Sequence, residues 1–261
     1  MKIAIIGAGA MGGATVEGLL QGKTFRADDI TVSDPSEQAL ARFDTSGVTL
    51  TSDNTAAVVG ADVVCVVVKP WLVESVLKGI KDSLDYQKQI LIVIAAGVPS
   101  ENINQWLDKG GGQLIPLFLV IPNTAIAVKS SMTFIVPVQA TEAQIKLVTG
   151  IFDELGGTIV TGEHLLAAGT TLASCGIAYA MRYIRAATEG GVELGFKAKD
   201  AQQIVQQTVK GAVELLQATG HHPEEEIDKV TTPGGLTIRG LNEMEHAGFT
   251  SAVIRGLKAG L

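Results

Sequence analysis

A short apolar run, Ile3-Ala-Ile-Ile6, that breaks into Gly7-Ala-Gly-Ala-Met-Gly12 constrains how this chain begins to fold. Residues 2–6 read as a strand covered on both faces, and 11–22 read as a helix. The glycines occupy the turn between them. Gly7 permits the tight turn, Gly9 lets another group approach the backbone, and Gly12 lets helix and strand pack closely. Lys2 followed by apolar residues superficially matches a signal peptide, but the glycines interrupt the run and a strand explains it better.

The same alternation continues. Strands are expected at 29–33, 62–68, 89–94, 113–120, 131–138 and 158–161, with helices at 11–22, 35–45, 71–85, 99–109 and 141–155. Gly156-Gly157 reads as the C-terminal stop of the last of these. Strands alternating with helices argue for an α/β unit with a parallel sheet. From Glu163 onward the pattern is helical throughout: a long Ala-rich helix at 163–194, an amphipathic one at 198–219, and shorter ones at 223–230, 236–247 and 249–258. The boundary falls near 162, giving domains 1–162 and 163–261. The 163–194 helix is apolar almost all round, and such a helix must be covered on every side. A second copy of the chain is the expected cover, and the sheet domain is the alternative.

Bulk properties exclude several classes. The 261 residues are 46% hydrophobic and 18% charged, as in a globular protein with a substantial core. A net charge of -7 disfavours a nucleic-acid partner. No run of ~18 uninterrupted apolar residues occurs, so no membrane span is expected and the cytoplasm is the default location. Cys65 and Cys175 sit in apolar segments and read as buried reduced thiols. The adjacent pair His221-His222 does not place two rings on one face, and no metal site is expected. Glu224-Glu225-Glu226 reads as a solvated helix start.

The strand–glycine turn–helix unit predicts a dinucleotide-binding loop, with the helix N-terminus facing the pyrophosphate. Asp34 ends the second strand about 20 residues beyond the loop, where an acid bonds a ribose 2′-hydroxyl and repels a 2′-phosphate. Against that, Ser33 and Ser36 are donors suited to a phosphate and Arg42 is nearby; Asp34-Pro35-Ser36 is also an ordinary helix cap. Lys69-Pro70 and Ala95-Ala96-Gly97 end two further strands and point to the same crevice, although Lys69 also reads as a solvated charge. At the other end of the chain, Thr232-Pro-Gly-Gly-Leu-Thr237 leads into a helix. Its N–H groups form a nest for a small carboxylate, with the two Thr hydroxyls beside it.

Taken together, GAGAMG at 7–12, Asn54, VKP at 68–70, AAGV at 95–98, PNT at 122–124, Gly176 with Ala178-Tyr179, and VTTPGGLTIRGL at 230–241 resemble the pyrroline-5-carboxylate reductase family across essentially the whole chain. The resemblance implies a Rossmann domain followed by an all-α dimerisation domain. It implies a homodimer or a larger ring of dimers, and NAD(P)H-dependent reduction of a cyclic imine to proline. Family habit puts NADP(H) first and NAD(H) second. By position, Gly7, Gly9, Ala10, Met11 and Gly12 would hold the pyrophosphate and Asn54 the adenosine ribose. Lys69, Pro70, Ala95, Ala96, Gly97 and Asn123 would surround the nicotinamide. Thr232, Gly234, Gly235, Leu236 and Thr237 would form the substrate pocket, with Thr237 orienting the ring nitrogen; Thr237 also reads as a helix cap.

The chain departs from the family at Trp71, Leu119, Ala125, Ala167 and Ala173-Ser-Cys-Gly-Ile177, where the family usually carries Gln, Arg, Pro, Asp and Ser-Gly-Ser-Gly-Pro. Ile177 in place of Pro removes an expected helix kink, and Cys175 stands at a Ser position. Two alternatives remain: a reductase of another imine or small acid, and a non-catalytic dinucleotide-binding paralogue. Hydroxy-acid dehydrogenases of this build would carry a Lys in the long helix, and residues 163–196 contain none.

Overall fold

The computed structural model describes all residues, Met1–Leu261, as two compact units, Met1–Cys175 and Gly176–Leu261. The first is built on an eight-stranded sheet of order β3-β2-β1-β4-β5-β6-β7-β8. Along the chain run β1 (Ile3–Ile6), α1 (Ala10–Leu20), β2 (Ile30–Ser33), α2 (Glu37–Ala41), β3 (Thr49–Thr51), α3 (Asn54–Val58), β4 (Val63–Val66), α4 (Pro70–Ile80), β5 (Ile90–Val93), α5 (Ser100–Leu107) and β6 (Leu117–Ile121). There follow β7 (Ser131–Val138), α6 (Glu142–Asp153), β8 (Gly156–Val160) and α7 (Leu166–Gly169).

The continuous Ile/Val runs feed two cores. Strand side chains alternate between faces, so Ile3, Ile5, Val63, Cys65, Ile90 and Ile92 join one core with α1 and α6 residues such as Val16, Leu19, Val148 and Phe152. Ala4, Ile6, Val64, Val66, Leu91 and Val93 join the other, with Val73, Leu77 and Ile80 of α4 and Ile103 and Leu107 of α5. Each fully buried Val, Ile or Leu contributes roughly 1.5–3 kcal/mol. The helices thus cover both faces of the sheet.

Strands β1 to β6 are mutually parallel, but β7 pairs antiparallel with β6, and β8 pairs parallel with β7. This corrects the all-parallel expectation. The link at 122–130 is only a 3-10 turn, whereas a parallel return needs a crossover of about a dozen residues or more. Strand β3 and helix α3 were not anticipated, because three strand residues and five helix residues carry too little periodicity to register.

Gly156 does not close α6, as its sequence context suggested. It begins β8 opposite Ser131, with φ +143 and no room for a Cβ, which would lie 2.1 Å from the Ser131 carbonyl oxygen. Helix α6 ends instead beside Glu154. That carboxylate accepts bonds from Lys23 N–H at 2.7 Å, Thr24 N–H at 3.1 Å and the Thr24 hydroxyl at 2.9 Å. The Lys23 N–H first, and then Thr24, hold the Glu154 carboxyl below its ordinary range. A group depressed on folding stabilises above its unfolded pKa and loses that contribution as pH falls through its folded one. Replacing Glu154 by Gln therefore costs about 1 kcal/mol near pH 7 and nothing once pH falls well below the ordinary Glu value of about 4.3; denaturant midpoints of parent and variant across pH check this.

The long helix expected at 163–194 is broken. A 3-10 turn at Glu163–Leu165 and α7 lead into a π turn at Thr170–Cys175, and only then does α8 (Gly176–Glu193) begin. The Thr170 hydroxyl donates to the Leu166 carbonyl at 2.7 Å and the Thr171 hydroxyl to Ala168 at 3.1 Å, back-bonds that loosen a helix. The break persists without proline at 177. Glu163 accepts from the Ser100 N–H and hydroxyl, and Leu166 joins the second core, which is why the first unit runs on to Cys175. By length and mean composition alone, the stretch Glu163–Glu193 also passes for a membrane-crossing helix, although no uninterrupted apolar run of that length occurs in it. Its second half nevertheless carries Arg182, Arg185 and Glu189, with an Arg185–Glu189 ion pair at 2.8 Å.

The second unit contains α8, α9 (Ala198–Thr219), α10 (Pro223–Lys229), α11 (Leu236–His246) and α12 (Phe249–Lys258). Helices α8 and α9 meet where Gly191 faces Ala201; a Cβ on the glycine would lie 2.9 Å from the Ala201 Cβ. Tyr183 packs edge-on against Phe249 at 6.5 Å between ring centroids. Within this unit only Thr188 and Ala201 are buried, while Met181, Leu194, Phe196, Ile204, Val213, Leu215, Val253 and Ile254 are exposed.

Candidate functional site

Parallel pairing of β1 to β6 puts the ends of these strands on one edge of the sheet. Gly7 N–H bonds Ser33 O at 2.7 Å, Asp34 N–H bonds Thr51 O at 3.2 Å, and Val67 N–H bonds Ile6 O at 2.7 Å. The chain winds from β1 outward to β3, then restarts at β4 and winds the other way. The crevice between β1 and β4 is therefore a topological switch point, where open α/β sheets bind ligands. Gly7–Gly12, Ser33, Asp34, Lys69, Pro70 and Ala95–Gly97 all follow or end strands at this edge, with Asn54 opening α3 after β3 and Asn123 in the link after β6.

The glycine loop has the required shape. A Cβ at Gly7 would lie 2.2 Å from Val67 O, and one at Gly12 would lie 1.9 Å from Gly7 O. Gly7 has φ +103. A Cβ at Gly9 would meet nothing within 4 Å, so the space in front of it is open. Gly9 is the N-cap of α1, with no side-chain cap and no acid in the first turn. Free N–H groups at Ala10 and Met11 and the positive end of the helix thus face that space, which fits a pyrophosphate.

Asp34 is not the cap of α2. Ser36 is, accepting from Ala39 N–H at 3.3 Å. The Asp34 carboxylate instead accepts from Ala8 N–H at 2.7 Å and Ser36 N–H at 2.8 Å. The Ser33 hydroxyl donates to Asn54 Oδ1 at 2.7 Å, which ties the β2 end to α3. Arg42 is engaged elsewhere: it pairs with Glu17, and its guanidinium lies 4.9 Å from the Phe43 ring centre. Asn54 borders an open cleft completed by Ser52, Asp53, Thr55, Ser75, Val76, Gly79 and Ile80. The α4 residues of that cleft escaped the sequence reading; the small pair Ser75 and Gly79, one turn apart, is the signal that marks a low helix face.

Lys69 is exposed and caps α4, with Pro70 in the first turn. Gly97 has φ +73 and open space at its missing Cβ. Asn123 is buried; its Oδ1 accepts from Ala125 N–H at 3.0 Å, and its Nδ2 donates to Ala173 O in the π turn at 3.4 Å. Trp71 stands 75% exposed beside Lys69-Pro70, while Leu119 is buried in β6.

In the helical unit, Gly235 N–H bonds Thr232 O at 2.9 Å, closing a turn with Pro233 and Gly234 at its centre, the latter at φ +69. The Thr232 hydroxyl lies over Gly235, where a Cβ would sit 2.4 Å from it. Gly235 is the N-cap of α11, so Thr237 is not the cap. Its hydroxyl is exposed on the first turn along with Leu236.

His221 does gather with two acids. Its Nδ1, Glu225 and Glu226 lie within 4.8 Å of one another, because the ring faces the first turn of α10. The Lys229 ammonium sits 2.8 Å from Glu226 and 2.9 Å from His221 Nδ1, already supplying the positive charge there. Both cysteines are free thiols. Cys65 is buried, and burial pushes its thiol up to about 12; Cys175 is only half-buried, against expectation.

Two family models match the chain: one described as NADP oxidoreductase coenzyme F420-dependent over residues 2–97, and pyrroline-5-carboxylate reductase dimerisation over 163–261. Pyrroline-5-carboxylate reductase 1 of Dictyostelium discoideum is 38% identical over 267 residues, 98% of this chain and 48% of that protein, so this chain spans about half its length. Pyrroline-5-carboxylate reductase 2 of the same organism is 34% identical over 270 residues, covering 98% of this chain and 89% of that protein. A crystal structure of the Plasmodium falciparum pyrroline carboxylate reductase with NADP bound shares the fold, with a TM-score of 0.90 at 24% identity over 100% of this chain and 95% of that one. A relative 34% identical over 98% of this chain and 89% of its own length, together with the match to the dimerisation family, shows that the chain belongs to the pyrroline-5-carboxylate reductase family.

Proposed function

We propose that this chain reduces 1-pyrroline-5-carboxylate to L-proline with a reduced nicotinamide dinucleotide, NADPH or NADH. One observation carries the reading: a closed Thr232–Gly235 turn opens α11 with unpaired N–H groups, in a chain whose sheet edge is shaped for a dinucleotide. When bound, the reduced nicotinamide supplies the hydride. The chain's residues bind and orient. Gly7, Gly9, Ala10, Met11 and Gly12 hold the pyrophosphate; Ser33, Asp34 and Asn54 hold the adenosine ribose; Lys69, Pro70, Ala95, Ala96, Gly97 and Asn123 flank the nicotinamide.

In the helical unit, Thr232, Gly234, Gly235 and Leu236 cradle the substrate carboxylate, while the Thr237 hydroxyl accepts from the iminium N–H. A new C–H bond forms at the imine carbon and the nitrogen keeps its proton as an amine. No strong acid is needed where the imine arrives protonated, and positioning at ~3–3.5 Å supplies most of the acceleration. Loss of cofactor absorbance on adding 1-pyrroline-5-carboxylate tests this. Turnover above the cofactor blank supports the assignment; dinucleotide binding without turnover counts against it.

On this reading the functional division falls at 162/163, supported by the family match that begins at residue 163 and by the end of β8 at Val160, although the compact units themselves divide after Cys175. The working form is a homodimer, or a larger ring of dimers, in the cytoplasm. A helical unit with two buried residues and a row of exposed Leu, Ile, Val and Phe side chains cannot support itself. A second copy covers those side chains. The melting temperature consequently rises with protein concentration, and a concentration-independent melt of a monomer by light scattering would contradict the dimer.

A further inference from the structure

We infer that Asp34 is a specificity-determining residue that makes NADH the tighter-binding reductant. The inference rests on the dinucleotide-binding reading of the sheet unit. It concerns the group at the ribose 2′ position, hydroxyl or phosphate, which lies off the end of β2 in a fold of this kind.

Three observations bear on it. The Asp34 carboxylate is fixed in place, one oxygen held by Ala8 N–H at 2.7 Å and the other by Ser36 N–H at 2.8 Å. It is only half-buried, so each oxygen keeps a lone pair for a ribose hydroxyl donor. Because Ala8 belongs to the glycine loop, the carboxylate is locked to the surface that holds the pyrophosphate and cannot swing away from a 2′-phosphate without releasing that loop.

No free cation in the segment that follows β2 offsets it. Between residues 30 and 58 the acids are Asp34, Glu37, Asp44 and Asp53, and the only base is Arg42. The Arg42 guanidinium is spent on Glu17 of α1, packed over Gly13 and against the Phe43 ring. The Ser33 hydroxyl donates to Asn54 Oδ1; the Ser36 hydroxyl oxygen accepts from Ala39 N–H and keeps a neutral O–H, which carries no counter-charge. A phosphate placed here would meet a fixed carboxylate with no counter-charge, whereas a hydroxyl would find an acceptor.

Calorimetric titration of the full chain with NADH and NADPH tests this without any substrate. The parent is expected to bind NADH about tenfold or more tightly than NADPH, and Asp34→Ser is expected to shrink that ratio about fivefold or more. Equal or tighter binding of NADPH by the parent overturns the inference, as does a ratio unmoved in Asp34→Ser. The parent ratio stands as a test even if the variant fails to fold. NADH preference without turnover of 1-pyrroline-5-carboxylate would sink the reductase reading and leave this inference intact. Turnover with tighter NADPH binding would do the reverse.

Discussion

Gly9→Asp is expected to abolish dinucleotide binding while leaving the sheet unit at least as stable as before. Gly9 has φ -63 and ψ -165, extended backbone that any residue adopts, and a Cβ there meets no atom within 4 Å. Asp is also among the preferred N-cap residues, worth about 1 kcal/mol to the helix it caps. The variant therefore gains a cap for α1. It pays for nothing in the fold, yet it fills the open space and sets a carboxylate where the phosphates belong, with its oxygens on the N–H groups that would have bound them. A loss of affinity of about 100-fold or more follows from blocking the cradle and adding like charge. Gly12→Ala makes the contrast. Its Cβ would lie 1.9 Å from Gly7 O, so the loop must break and stability falls by about 3 kcal/mol or more. Titration calorimetry beside thermal melts separates the two. Retained binding in Gly9→Asp would remove the loop from the cofactor site.

Thr237→Ala is expected to lower kcat by about 100-fold, the size of losing one oriented hydrogen bond to a reacting centre. Stability should change by less than about 0.5 kcal/mol, because the side chain is exposed and Gly235, not Thr237, caps α11. Thr237→Ser keeps a hydroxyl at the same place and should recover most of the rate, while Thr237→Val, matched in shape, should not. Unchanged kinetics in the Ala variant would exclude the hydroxyl from the chemistry. A parallel loss of melting temperature would make it structural instead.

Much of this was legible in the sequence, and the illegible parts share a physical reason. The Ile/Val strands and the amphipathic helix at 198–219 announce themselves because burial imposes a period of two or of 3.6 on many residues. The expected 198–219 coincides with α9, Ala198–Thr219. The glycine loop is legible because its glycines answer to sterics: at Gly7 and Gly12 a Cβ cannot fit. What sequence leaves hidden depends on one pairing or one bond. The antiparallel β7 follows from the shortness of the 122–130 link. The π turn at 170–175 follows from two Thr back-bonds inside a run that otherwise reads as unbroken helix. Asp34 was visible as an acid at a strand end, but its bond to Ala8 N–H, and the commitment of Arg42 to Glu17, are tertiary facts.

The central claim is that a hydride passes from the dinucleotide to the imine carbon of 1-pyrroline-5-carboxylate. The most direct test incubates the chain with 1-pyrroline-5-carboxylate and NADH or NADPH dideuterated at nicotinamide C4, then analyses the product by mass spectrometry. The account predicts L-proline carrying a single deuterium at the former imine carbon. Proline without deuterium, or no proline from either labelled cofactor, would contradict it.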